Sequence, residues 1–398
     1  MRREASVERL DWQRTIEGQG LVFWRTQMPD GSERSYWTED ACYVLSIDEA
    51  VELELAANEL VERCVDAAQH VIDHGLWDRF GIPPAWRGRV AEAWDREPPM
   101  VAGRFDLAYT GEGSAPKLLE YNADTPTAML ESAVVQWMWL QDTDPTADQL
   151  NSLHERLIER WTELSGRIPG RKVHFVWSEA ELSGEDRMTV EYLADTCRQA
   201  GLEAALLPIE QLGFHDITGF VTPEGERIGT IFKLYPWEWM WHEEFGEAAL
   251  RRMGDVLHAT QWIEPLWKVL WSNKALLTVL WELFPDHPNL LPAYAAGHAP
   301  ADFGDHVRKP LLAREGANAM VVRGGDVVAK GPDQGYGEEG YVVQALADLG
   351  TYDSSYGPTH PVFGVWTVDM TAAGLGIRES DSLITDDLSR FVPHKIEP

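Results

Sequence analysis

The stretch Arg104-Phe105-Asp106-Leu107-Ala108-Tyr109-Thr110-Gly111-Glu112-Gly113-Ser114-Ala115-Pro116-Lys117-Leu118-Leu119-Glu120-Tyr121-Asn122 reads as two short strands joined by a turn-rich loop. Side chains two apart on a strand share a face. A fold-back symmetric about Gly113 sets Asp106 opposite Glu120 and Arg104 opposite Asn122. Two carboxylates so close repel unless cations join them. Hard oxygen ligands suit Mg²⁺, which is typically held by one or two carboxylates plus substrate phosphates. Arg104 adds a phosphate-directed charge. The pattern points to phosphoryl chemistry. The same alternation also describes a half-exposed hairpin in which Arg104 pairs with Asp106 or Glu120 on the surface. A second, distant set of residues tips the balance.

Composition narrows the classes. The chain has 398 residues, is 44% hydrophobic and carries a net charge of −31. That is enough apolar sequence for a substantial core or for two or three linked domains. So much negative charge argues against nucleic-acid or anionic-membrane binding, yet leaves room for a local basic pocket. Cys42, Cys64 and Cys197 are widely spaced, without metal-site spacing, and read as ordinary thiols in a reducing compartment. Met1-Arg2-Arg3-Glu4-Ala5 leads into charged sequence, and no apolar run approaches membrane-span length. A cytoplasmic protein is expected. Most of the 18 tryptophans are expected in packing.

Along the chain, a helix is predicted from Ile47 to Leu76, with Ser46 as N-cap and Gly75 near its end. Helices are also predicted over Met129–Leu140, Gln149–Arg167 and Trp267–Leu283. The corner Asp124-Thr125-Pro126-Thr127 falls near a helix N-terminus, where free N–H groups favour anions. Strand Val173–Trp177, helix Asp186–Ala200 and strand Glu203–Leu207 form a β-α-β unit with a parallel sheet. It lacks GxGxxG, so dinucleotide binding has no support. A turn near Gly225 leads to a strand over Ile228–Tyr235. A strand-rich region spans Val307–Leu346, and a last pair of strands is expected around Ala372-Ala373-Gly374.

The second set of residues lies there. Val307-Arg308-Lys309-Pro310-Leu311 reads as a strand with an inward lysine, running into the small-residue loop around Gly316. A strand lysine gives a point charge and such a loop offers backbone N–H groups to a triphosphate. Lys274 lies in an apolar helical stretch, from which it reaches either solvent or a phosphate. Gln344 ends an apolar strand and either reads an adenine edge or faces water.

Together these stretches resemble the glutathionylspermidine synthase family, in its synthetase part. The resemblance is carried by Arg104-Phe105-Asp106, by Leu119-Glu120-Tyr121-Asn122-Ala123-Asp124-Thr125, by Asn273-Lys274-Ala275-Leu276-Leu277, by Lys309-Pro310-Leu311-Leu312-Ala313-Arg314-Glu315-Gly316-Ala317-Asn318, and by Gly374-Leu375-Gly376-Ile377-Arg378-Glu379. It implies an α/β (α+β) chain with an ATP-grasp-type fold and a small α/β pre-ATP-grasp domain. The expected division is a helical region with the metal-ligand strand pair (1–170), the small α/β domain (171–264), the lysine and glycine-loop subdomain (265–346), and C-terminal strands completing the ATP site (347–398). With no room for an additional amidase domain, the chain looks like a stand-alone acid–amine ligase of the family.

The resemblance further implies residue roles. Arg104 stabilises the transferring phosphoryl group. Asp106, Glu120 and Asn122 hold two Mg²⁺ ions, Lys274 and Lys309 contact ATP phosphates, the Gly316 loop is a lid, Gln344 meets the adenine side, and Arg378 completes the nucleotide site. Asp124, Thr125 and Thr127 touch the acid. The implied partners are a small-molecule or peptide acid, such as glutathione, and an amine, such as spermidine. The run Tyr235–Glu244 offers aromatics and carboxylates to a polyamine, although a packing seam is the favoured reading. A metal-dependent phosphohydrolase and a non-catalytic nucleotide or peptide binder are the alternatives.

Overall fold

The computed structural model describes residues 1–253 and 259–397. Residues 254–258, within the expected small α/β domain, and Pro398, at the end of the C-terminal segment, lie outside the described residues. The fold mixes α and β, as expected, and three sheets position the site.

Helix α1 (Ile47–His74) starts where predicted and stops two residues short of Leu76, at the expected Gly75. Ser46 accepts the Glu49 N–H while the Glu49 carboxylate accepts the Ser46 N–H, and Gly75 closes the helix at φ +61. Strands β1 (Ala102–Ala108) and β2 (Lys117–Asn122) follow. The predicted β-α-β unit is β3 (Lys172–Trp177), α2 (Glu185–Gln199) and β4 (Glu203–Pro208), with parallel strands. Adding β5 (Thr230–Leu234) and β6 (Gln261–Ile263) gives a parallel sheet in the order β6-β5-β3-β4. After helix α3 (Ala275–Leu283) come β7 (Ala293–Ala295), β8 (His306–Pro310), β9 (Met320–Arg323), β10 (Asp326–Lys330) and β11 (Tyr341–Ala345). They form an antiparallel sheet ordered β7-β11-β8-β9-β10. The chain ends with β12 (Gly357–Val368), β13 (Thr371–Ser380) and β14 (Arg390–Val392), followed by a short strand, His394–Glu397.

The central sheet runs β14-β13-β12-β1-β2, antiparallel throughout. All seven residues of β1 are buried. Buried backbone groups need partners on both edges, so β1 is sandwiched between β2 and the distant β12. A boundary that sets 1–170 apart from 347–398 therefore cuts through one sheet.

Three local expectations need correction. The turn joining β12 to β13 lies at Asp369–Met370, with φ +48 and +64, not around Ala372–Gly374. A tight hairpin turn needs left-handed backbone at both central residues. The helix expected over Trp267–Leu283 breaks at Asn273. There the side chain accepts the Ala275 N–H at 2.9 Å and donates to the Phe80 carbonyl at 2.8 Å. The break lets the Lys274 N–H reach the Leu311 carbonyl at 2.9 Å and leaves Lys274 at the start of α3. The helix after β2 opens with a π-helical turn, Glu131–Val135, before Gln136–Thr143.

The parallel sheet packs Phe175 and Phe232 against Trp161. It is fastened to the central sheet just after β6. There the Glu264 carboxylate accepts the Val101 and Ala102 N–H groups at 3.0 Å each and pairs with Lys268 at 2.5 Å. Lys268 in turn donates to the Ala102 carbonyl at 2.7 Å. Among the described residues no helix is long and apolar enough to cross a membrane.

Removing the N-cap of α1 by Ser46→Ala leaves the Glu49 N–H without its acceptor. Urea unfolding should show a loss of about 1 kcal/mol, the usual size for an N-cap.

Candidate functional site

The register of β1 on β2 is the predicted one, with Asp106 opposite Glu120 and Arg104 opposite Asn122. Beyond Asp106 a bulge shifts it, so that Leu107 faces Leu118. On the other side of β1, Gly364 stands opposite Asp106. A Cβ at Gly364 would lie 2.9 Å from the Arg104 Cδ, so glycine is what lets this arginine lie flat across the sheet.

Arg104 grips Asp106 with two bonds, Nε to Oδ1 at 2.7 Å and Nη2 to Oδ2 at 3.1 Å, and donates Nη1 to the Thr127 carbonyl at 2.6 Å. Arg378 adds a bond to Asp106 Oδ2 at 2.9 Å and Asn122 another at 3.2 Å. Arg104 and Asp106 are both buried, which distinguishes this cluster from a surface pairing.

The lysines meet the other carboxylate. Lys274 Nζ lies 3.1 Å from Glu120 Oε2 and donates to the Ala313 carbonyl at 2.6 Å. Lys309 Nζ donates to the Leu119 carbonyl and to Gln344 Oε1, both at 2.9 Å. Burial works to raise the Glu120 carboxyl, but Lys274 and Lys309 outweigh it and hold the group at about 2. Burial pushes the Lys309 ammonium down to about 8, with Lys274 adding to the effect and Glu120 and Asp106 resisting it.

One cavity, about 1100 Å³ including the part open to solvent, is lined by Arg104, Asp106, Glu120, Asn122, Thr125, Thr127, Lys274, Lys309, Gly316, Gln344 and Arg378. Arg314 and Glu315 also line it, which makes five cations against three carboxylates. In a chain of net charge −31 this is a local concentration of positive charge, of the kind that attracts a polyanion. The Gly316 loop is tightly folded. Gly316 has φ +66, and a Cβ there would stand 2.5 Å from Ile384 Cγ2. Asn318 pins the loop by accepting the Gln334 and Tyr336 N–H groups at 3.1 and 3.2 Å.

Two predicted positions turn out differently. Gln344 is buried, and besides accepting from Lys309 it donates to the Leu118 carbonyl at 2.8 Å. It sits mid-sheet, its backbone paired with both Val307 and Ala293, and its amide orients Lys309 from the cavity wall. Asp124 does not line the cavity. It is buried against Lys233 of β5, at 2.5 Å, and accepts the Trp237 N–H at 3.1 Å. Lys233 is wholly buried and lies 4.6 Å over the Trp237 ring, so Asp124 is spent on neutralising it. The aromatic run is largely a packing seam. Trp237 is buried between Trp86 and Trp262, whereas Trp239 is partly exposed.

A second cavity adjoins the first and shares Thr127, Arg314, Glu315 and Arg378 with it. Glu181, Glu185, Asp186, Asp386 and Asp387 line it, together with Phe23, Tyr36, Trp239 and Tyr336. Burial pushes the Asp186 carboxyl up to about 7, with Arg314 resisting and Glu185 and Glu181 reinforcing the shift. Burial raises Glu185 as well, against a bond from the Thr127 side chain. The sequence reading missed these residues, although a signal existed. Glu181, Glu185 and Asp186 follow β3 and open α2, at the carboxyl edge of a parallel sheet where α/β folds place ligands.

Comparison with known proteins bears on this arrangement. Residues 3–397 match the family described as glutathionylspermidine synthase preATP-grasp. A Haemophilus influenzae protein provisionally called an acid–amine ligase is 37% identical over 389 residues, covering 95% of each chain. Trypanothione synthetase of Crithidia fasciculata is 28% identical over 83% of this chain, which spans 52% of that larger protein. A solved structure of a glutathione synthetase-like effector from Globodera pallida covers 98% of each chain with a TM-score of 0.57 at 10% identity, a likeness of fold alone.

The Asp124–Lys233 pair gives a stability test. Lys233→Met leaves a buried carboxylate without its cation and should cost about 3–5 kcal/mol in urea unfolding. Adding Asp124→Asn to that variant should recover most of the loss. No recovery would mean that the lysine serves packing alone.

Proposed function

Because the chain belongs to the glutathionylspermidine synthase family and is an amide-bond-forming ligase, we propose that it activates a carboxylic acid as an acyl phosphate with ATP and passes the acyl group to an amine. The observation that carries this is the convergence of Arg104, Lys274, Lys309 and Arg378, from four distant segments, on one cavity that also holds the Asp106–Glu120 pair. A carboxylate is a poor acylating agent because its leaving group is oxide. Phosphorylation replaces that with a good leaving group, and the protein's work is positioning and charge neutralisation.

Lys274 and Lys309 bind the nucleotide phosphates, Gln344 keeping Lys309 aimed. Arg104, fixed by Asp106 and the Thr127 carbonyl, presents its charge to the transferring group, and Arg378 completes that wall. Thr125 and Thr127 hold the acid. The loop at Gly316 covers the site and keeps water from the acyl phosphate.

Asp106, Glu120 and Asn122 suit two Mg²⁺ ions. All three carry hard oxygens. Asn122 Oδ1 forms no hydrogen bond among the described residues and Glu120 Oε1 has only a long one, at 3.4 Å, whereas the Asp106 oxygens accept four bonds from Arg104, Arg378 and Asn122 and would exchange some of them for a cation. When bound, Mg²⁺ would neutralise phosphate charge. For the substrates, the acidic and aromatic second cavity suits ammonium groups. A peptide acid such as glutathione and a polyamine such as spermidine are the first pair to try.

The experiment is ADP release with ATP and Mg²⁺ against panels of acids and amines, with product masses recorded. ADP dependent on both an acid and an amine, with a product mass equal to their sum less water, is the expected result, and Glu120→Ala should abolish it without unfolding the protein. ADP formed without any acid would favour a phosphohydrolase. ATP binding without ADP from any pair would favour a binding role.

The lowered Lys309 gives a pH signature. Its charge is present below about 8 and is lost as the pH rises through that value, so ATP should bind more weakly at pH 9 than at pH 7. Lys309→Met should remove this pH dependence and weaken binding at pH 7 by about 1.5–3 kcal/mol, the worth of a charged hydrogen bond. Titration calorimetry at the two pH values reads both effects.

A further inference from the structure

Two buried groups beside the second cavity have no part in the chemistry above. Glu131 has no exposed surface and begins the π-helical turn Glu131–Val135, an irregularity that recurs at functional sites. Its Oε1 accepts the Tyr36 hydroxyl at 2.6 Å. Its Oε2 is buried without any hydrogen-bond partner. A carboxyl oxygen left like this is costly, and such groups in a native fold call for an explanation. Tyr36 lines the second cavity, so the pair connects that cavity to a carboxyl sealed from solvent. The charged groups facing the pair are Arg104 from β1, Arg378 from β13 and Glu185 from α2.

The reaction needs a group of this kind. An alkyl amine reaches the site as an ammonium ion and cannot attack an acyl phosphate until it loses a proton. We propose that Tyr36 and Glu131 form the proton relay that activates the amine, an inference that rests on the ligase reading above. An ammonium in the second cavity gives a proton to the Tyr36 oxygen as the Tyr36 hydroxyl proton passes to Glu131 Oε1. The net change is ammonium plus carboxylate to free amine plus carboxylic acid. The amine lone pair then forms the C–N bond, the bond from carbon to the phosphate oxygen breaks, and the departing phosphate takes the second amine proton. After product release the relay runs backwards: Glu131 returns its proton to the Tyr36 oxygen as the Tyr36 hydroxyl proton passes to water in the emptied cavity.

The environment suits the role. Burial pushes the Glu131 carboxyl up to about 7, with Glu185 adding to the shift and the Tyr36 bond and Arg104 opposing it. A base works best when its pKa lies near the working pH. Glu185 and Asp186 face the same cavity and are the rival bases, but neither would need the Tyr36 hydroxyl.

The test compares two nucleophiles with Tyr36→Phe and Glu131→Gln, using glutathione or whichever acid supports ADP release. Spermidine needs to lose a proton, whereas hydroxylamine is already unprotonated at neutral pH. Both variants should lose about 100-fold in kcat for amide formation, within the usual range for general-base catalysis. Their KM for the amine should stay near that of the wild type, and amide formation should recover as the pH is raised. Hydroxamate formation should continue at close to the wild-type rate. Hydroxamate and amide formation falling together would assign the pair a structural role and overturn the relay. Unchanged amide formation in Tyr36→Phe, which keeps the ring and the packing, would overturn it in favour of Glu185 or Asp186. A wild-type protein that forms no hydroxamate with any acid would instead fail the ligase reading, and that result appears before any variant is made.

Discussion

The pairing of β1 between β2 and β12 is the constraint on which the rest of the site depends. A fully buried strand must satisfy its backbone on both edges, and here one partner is the next strand in sequence and the other lies near the far end of the chain. One edge brings Glu120 and Asn122 up to Asp106. The other brings Gly364, whose missing side chain leaves Arg104 room to lie on the sheet, and through β13 it brings Arg378. A one-residue slip would turn Asp106 and Arg104 to the opposite face. The bulge just past Asp106 takes up the change in register without disturbing the functional positions.

Around this frame the protein sets charges that a strongly acidic chain would not otherwise gather. Lys274 owes its position to the break at Asn273, and Lys309 owes its aim to Gln344. Burying Lys309 weakens its proton affinity, and only the nearby Glu120 and Asp106 limit that loss. The carboxylates therefore keep that lysine charged. The ion pairs are geared to charge balance within the cavity, since buried pairs contribute little to net stability unless one partner is removed.

The parallel sheet meets the central one at its carboxyl edge. Lys233 from β5 and Glu264 after β6 each reach across to the segments flanking the hairpin. That junction sets the acidic second cavity beside the cationic first one, with Thr127 lining both. In the proposed acyl transfer, an anionic activated acid and a cationic amine would meet at that boundary.

Local patterns were legible in the amino-acid sequence. Period-two alternation about Gly113 determined the Asp106–Glu120 pairing, and Ser46 with Gly75 marked the two ends of α1. The runs Val173–Trp177, Asp186–Ala200 and Glu203–Leu207 determined the β-α-β unit. Each of these is encoded by neighbours within one or two turns or one hairpin. What only the tertiary structure decided was partnership over long separations. Asp124 looked like a substrate contact until Lys233 claimed it, and Gln344 looked like a strand end until β7 and β8 paired on either side of it. The Asn273 break, the Tyr36–Glu131 contact and the acidic cavity likewise arise where distant segments meet. Sequence periodicity specifies which face a side chain takes, but its partner across that face is chosen by packing and by the cost of leaving a buried charge alone.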